Sequence, residues 1–142
     1  MAIDETFLRE ITDVRVSLVF FDFEADPDLI TDTLGIQPDD VRRKGELGVL
    51  GGKQEFRAPH NLWALNSRAG SLDPNVQIRE LLARIETVQE KIDPAWNPSF
   101  NILWKSRILG AGAGPYYEKD VIEGIAEMGA EIYQDLYLEE DE

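Results

Sequence analysis

The sequence predicts an α/β (α+β) fold: a four-stranded, mainly antiparallel sheet with helices packed on it. Three observations carry this. Apolar and polar residues alternate with the period of a strand in four separate stretches. Between those stretches the apolar spacing switches to that of an amphipathic helix. Asp-Pro pairs and glycines punctuate the ends of the helical stretches.

The first strand is "DVRVSLVFFDF" (13–23). Val14, Val16, Leu18 and Phe20 fall on one face, and Val19, Phe21 and Phe23 make the other face apolar as well. That pattern predicts Val14–Phe21 as an interior strand, beside the strands at 99–108 and 130–138. "ADPDLITDTLG" (25–35) follows as a helix. Asp26 is placed to cap it, Pro27 suits its first turn, Leu29, Ile30 and Leu34 share a face, and Gly35 supplies a left-handed exit. Residues 37–61 hold four glycines and two prolines without sustained periodicity. They read as a long irregular connection with a short hairpin around Gly51-Gly52.

"LWALNS" (62–67) is a short strand. Residues 73–93 are the clearest helix, opened by Asp73 and Pro74 and striped by Ile78, Leu81, Leu82, Ile85, Val88 and Ile92. "SFNILWKSRI" (99–108) alternates Phe100, Ile102 and Trp104 against Asn101, Leu103 and Lys105. A helix over 117–129 ends at Gly129, and "AEIYQDLYL" (130–138) is the last strand. The order β-α-β-α-β-α-β suggests a ferredoxin-like variant with an added helix before its third strand. A doubly wound parallel sheet is the weaker alternative, because four strands leave little crevice for it.

The 142 residues read as a single globular domain, with a core over about 13–138 and an acidic tail, "EEDE" (139–142). No cysteine is present, which excludes disulfides and thiolate metal sites. The acidic start "MAIDETFLRE" is unlike a signal peptide, and no apolar run reaches the roughly 18 residues of a membrane span. A soluble cytoplasmic protein without a membrane partner is expected. A net charge of −14 argues against nucleic-acid binding, which needs a basic face. The same charge suits a basic protein partner and leaves a homodimer open.

"LGAGAGPYY" (109–117) is the stretch nearest to a cofactor motif. In a dinucleotide fingerprint the glycines let backbone approach a pyrophosphate at a helix start, in the pattern Gly-x-Gly-x-x-Gly. Gly110 and Gly112 fit, but the third place falls on Pro115, and Gly114 comes one residue early. No Gly-Lys-Ser/Thr follows either, so a supple turn without a nucleotide is expected. Asp22, Glu24, Asp26 and Asp28 alternate as in a calcium loop, yet Pro27 and Thr33 stand where that loop needs Gly and Glu. His60 is the only histidine, which excludes zinc sites built from several imidazoles. No Gly-x-Ser-x-Gly elbow supplies a nucleophile, and 28 acids make carboxylate pairs uninformative. No cofactor, metal or catalytic residue is expected, and the reading leans away from an enzyme.

The connection at 39–61 is different in charge. It gathers Arg42, Arg43, Lys44, Lys53 and Arg57, five of the fourteen bases, against four acids. Long loops of unusual charge often bind. The candidate site is Arg42, Arg43, Lys44 and Glu46 rimming a pocket floored by Trp63. The competing structural reading has these bases pairing with neighbouring acids, Gly45 making a tight turn and Trp63 burying its ring.

Together, "DPDLITDTLGIQPDDVRRKGE", "LWAL" followed by Ser67, the long amphipathic helix and "IAEMGAEIYQDLY" resemble the bacterial family known as domain of unknown function 4279. The likeness runs from about Val14 to Tyr137. It implies a compact α/β domain and carries no active site onto this chain. Three functional readings follow: a non-catalytic protein-interaction module of the immunity or antitoxin type, a small-ligand or anion-binding domain using residues 42–63, and an enzyme working through unidentified carboxylates.

Overall fold

Strand β1 (Ile11–Phe21) is the centre of the fold, with a neighbour on each side. The computed structural model describes residues 11–50, 54–107 and 114–139. After β1 come α1 (Pro27–Leu34), β2 (Asp40–Arg42), β3 (Leu47–Leu50), β4 (Gln54–Arg57) and β5 (Leu62–Asn66). Helix α2 (Pro74–Ile85), two 3-10 turns at Gln89–Lys91 and Pro94–Trp96, β6 (Pro98–Ser106), α3 (Lys119–Glu127) and β7 (Glu131–Leu138) complete the order. Five strands form one sheet in the order β2-β5-β1-β6-β7, and β3 pairs with β4 as a separate hairpin. The β2–β5, β5–β1 and β1–β6 pairs are antiparallel, while β6 and β7 run parallel.

Alternation in β1 and β6 fixes which face is covered. Val16, Leu18 and Phe20 of β1, Phe100 and Ile102 of β6, and Trp63 and Leu65 of β5 share one face. They pack with Ile30 and Leu34 of α1, Ile78, Leu81 and Ile85 of α2, and Val121 and Ile125 of α3 in one buried cluster. The helices therefore lie on a single face of the sheet. The opposite face carries Ser17, Val19, Phe21, Leu62, Ser99, Asn101 and Tyr133, a more polar and partly exposed set.

The helix punctuation works as the sequence implies. Asp26 accepts a hydrogen bond from the Asp28 N–H at 2.8 Å, and Asp73 does the same for Asn75 at 2.9 Å. Gly35 closes α1 at φ +67°, where a side chain would be strained. Leu29, expected on the inner face of α1, is exposed instead, since Ile30 and Leu34 already fill that contact.

Several expectations are corrected. The sheet has five strands rather than four, because Asp40–Arg42 adds an edge strand too short for any period to show. The strand at 130–138 lies beside β6, not β1, whose two edges are taken by β5 and β6. A parallel neighbour requires a crossover, and α3 provides it. The helix expected over 73–93 stops at Ile85; Thr87 and Val88 are weak helix formers, and Asp93, before a proline, caps a turn of its own. The expected hairpin exists as β3–β4, with its tip at 51–53 outside the described residues. Residues 108–113, most of the glycine-rich stretch, also lie outside them. Among the described residues no helix is long and apolar enough to cross a membrane.

Candidate functional site

A large concavity lies on the helix-free face, at the end where β1 finishes and β6 and β7 begin. It is a hollow of about 850 Å³. Val19 and Phe21 of β1 and Leu62 of β5 give it an apolar floor; Ser99 and Asn101 of β6 give it polar groups; Tyr133 of β7 forms one wall. Asp22 and Glu131 supply its charge, and among the described residues no lysine or arginine lines it. Phe21 is 44% exposed and Tyr133 58% exposed, so two aromatic rings are offered to solvent at its mouth.

The rim is held rigidly. Asp22 and Asn97 both adopt positive φ, +54° and +55°. Asp and Asn tolerate that region better than other side chains, because their short polar groups bond locally. Asn97 Nδ2 donates to the carbonyls of Phe21 (3.0 Å) and Asp22 (3.2 Å). The Asp22 N–H donates to the Asn61 carbonyl at 2.9 Å. The Asp22 carboxylate lies 2.9 Å from His60 Nδ1, and the His60 ring packs on Phe21 with centroids 4.9 Å apart. His60, the only histidine, is thus tied to this rim. A local signal for it was absent: positions 22, 60, 97 and 133 come from four separate segments.

The residues singled out at 42–63 are placed differently. Trp63 is fully buried on the helix-covered face, its ring stacked on Phe20 at 5.2 Å and its Nε1 donating to Thr31 Oγ1 at 3.0 Å. Arg43 reaches α1, with Nη2 2.6 Å from Asp28 Oδ1 and Nε 3.8 Å from Asp26 Oδ1. Arg42 lies 3.8 Å from Asp40, and the side chains of Lys44 and Glu46 are exposed. Arg57 donates to the Gly45 carbonyl at 2.9 Å. Gly45 takes φ +86° in a tight turn closed by the Glu46 N–H on the Arg43 carbonyl (2.9 Å). Neither the large hollow nor a smaller one of about 380 Å³ beside Gln77 is lined by Arg42, Arg43, Lys44, Glu46 or Trp63.

The alternating acids after β1 have separate tasks: Asp22 meets His60, Asp26 caps α1 and Asp28 meets Arg43. Among the described residues, no three His, Cys, Asp or Glu side chains come together in a way that could hold a metal.

The family model described as "Domain of unknown function (DUF4279)" matches residues 10–139, nearly the whole chain. The chain belongs to that family. No curated protein and no solved structure matches it significantly.

Proposed function

We propose that this member of the DUF4279 family is a non-catalytic protein-interaction module that takes a basic, apolar-anchored segment of a partner protein into the hollow between Phe21 and Tyr133. The observation that carries this is the make-up of the hollow: an apolar floor, two exposed aromatic rings, and acids but no lysine or arginine among the described lining residues, on a chain of net charge −14. Exposed aromatics beside fixed charge are the usual anchors of protein recognition. The acidic field speeds encounter with a cationic partner and repels acidic competitors. Two non-glycine residues at positive φ on one rim are the kind of stored strain that binding sites retain. An immunity or antitoxin-like role, and residence in the cytoplasm, belong to the same reading.

The scaffold reading is part of the proposal. Taken alone, β1-α1-β2-β5-α2-β6 has the sheet order β2-β5-β1-β6, which is a split β-α-β arrangement of the ferredoxin-like kind. The β3–β4 hairpin is then an insertion, and α3 with β7 an addition that builds one wall of the hollow.

The test is calorimetric titration with a Lys/Arg-rich peptide carrying one aromatic residue, against its Asp/Glu counterpart. Binding of the cationic peptide alone, weakened several-fold by Asp22→Asn, Glu131→Gln or Phe21→Ala, is expected. Asn tolerates the left-handed backbone at position 22, so that variant changes charge without changing shape. Asp32→Asn on α1 and Glu123→Gln on α3 remove equal charge from helices on the other face of the sheet, neither residue lining the hollow, and serve as the control. Equal loss in the control pair, or equal binding of both peptides, contradicts the proposal.

A further inference from the structure

The two edges of the sheet are unlike. Edge strand β2 has three residues, two of them charged, which is how proteins commonly protect an edge from unwanted pairing. Edge strand β7 has eight residues, "EIYQDLYL", without proline, lysine or arginine, and keeps an unbroken register against β6. Every one of the eight is exposed. Ile132, Leu136 and Leu138 project to the helix-covered side, and Tyr133 and Tyr137 to the open side. Glu131 and Asp135 are its only charged residues, and it has neither the shortness of β2 nor a bulge in its pairing with β6.

Its hydrogen-bonding pattern is defined. The Glu139 N–H donates to the Ser106 carbonyl at 2.8 Å, so Glu139 faces β6. Bonding residues alternate along a parallel ladder. Ile132, Gln134, Leu136 and Leu138 therefore turn their N–H and C=O groups outward, ready for another strand.

We infer that β7 pairs antiparallel with β7 of a second copy of this chain, about a two-fold axis passing through Gln134 and normal to the sheet. That axis keeps both sets of helices on one side and joins the sheets into ten strands. The sequence of the strand selects the register. Centred on Gln134, Ile132 lies opposite Leu136, Tyr133 opposite Asp135 and Glu131 opposite Tyr137, with no two acids facing. Centred on Tyr133 or Asp135, acids oppose acids, which is destabilising. Centred on Leu136, the strand loses Ile132 from the pairing.

Edge-to-edge pairing covers only part of the exposed Ile132, Tyr133, Leu136, Tyr137 and Leu138 side chains, so the area buried falls at the small end of specific association. The dimer is accordingly weak and forms only at high protein concentration. Two chains of charge −14 repel each other, so salt strengthens it. This inference rests on the outer edge of β7 and not on the peptide-binding reading, although Glu131, Ile132 and Tyr133 of that strand also line the hollow, so its test is run without peptide.

The absence of cysteine makes the test direct. In the Gln134-centred register, the two Gln134 Cα atoms lie about 5.5 Å apart, within reach of a disulfide. Gln134→Cys should give a covalent dimer under mild oxidation, whereas Tyr133→Cys and Leu136→Cys, set back from the axis, should give several-fold less. Wild-type protein should sediment as a concentration-dependent dimer that tightens several-fold between low and high salt. A charge exchange adds an arm independent of disulfide geometry: Gln134→Lys and Gln134→Glu should each be monomeric and recover the dimer when mixed. A strictly monomeric wild type into the hundreds of micromolar overturns the inference, as does equal cross-linking at all three positions. A dimer that both charged variants leave intact also overturns it.

Discussion

Gln77 of α2 and Val16 of β1 meet where the sheet runs out of strand. Strand β5 pairs with β1 only from Ser17 to Phe21, which leaves the earlier backbone of β1 open on that side. Gln77 fills the gap with its side chain: Oε1 accepts from the Val16 N–H at 2.8 Å, and Nε2 donates to the Val14 carbonyl at 2.6 Å and the Ser71 carbonyl at 2.7 Å. Gln77 is 4% exposed, so these groups have little water to fall back on. Gln77→Leu keeps the bulk and removes all three bonds. Leaving buried backbone groups unpaired costs about 1–3 kcal/mol each, and a loss of about 2–4 kcal/mol is expected in urea unfolding. An unchanged midpoint would mean that the gap closes by other means.

Arg43 is the predicted binding residue whose surroundings are most specific. Any anion approaching it competes with Asp28 at 2.6 Å and with Asp26, both at the start of α1. An exposed ion pair of this kind contributes about 0.2–1 kcal/mol. Arg43→Ala should lower stability by that amount, and Lys44→Ala by less than about 0.5 kcal/mol. Neither substitution should weaken a cationic peptide at the hollow. Denaturant unfolding and the same calorimetric titration check both halves.

Arg79 of α2 joins the start of α3, with Nε and Nη2 on the Asp120 carboxylate at 3.0 and 2.9 Å. The guanidinium holds the Asp120 carboxyl below the usual carboxylate range. A group whose pKa is depressed by folding adds stability above its unfolded value and loses it as pH falls through the folded one. Asp120→Asn should therefore lower the urea midpoint at neutral pH, and its difference from wild type should shrink below about pH 4. A difference that stays constant down to pH 2 would show that the charge of Asp120 is not what matters.

Much of this was readable from local pattern. Val14, Val16, Leu18 and Phe20 announce β1 because a two-residue period survives in any context. Asp26, Asp73 and Gly35 announce helix ends because a cap is a contact between near neighbours. Three kinds of feature escaped. Strand β2 is three residues long and exists because β5 offers it an edge, so nothing in Asp40-Val41-Arg42 betrays it. The place of β7 beside β6 is decided by the α3 crossover and by competition for the edges of β1, which are properties of the whole sheet. The hollow joins segments more than a hundred residues apart. Trp63 illustrates the limit: its composition suits a pocket floor or a core equally, and only the side of β5 on which it falls decides for the core.

The reading of the hollow as the docking site for a basic segment is the central claim, and amide chemical-shift mapping with the cationic peptide tests it most directly. The account predicts saturable shifts concentrated at Val19, Phe21, Asp22, His60, Asn101 and Tyr133, with the amides around Arg43 and along α2 unmoved. Small shifts scattered over acidic residues on every side of the molecule, with no centre between Phe21 and Tyr133, would contradict it.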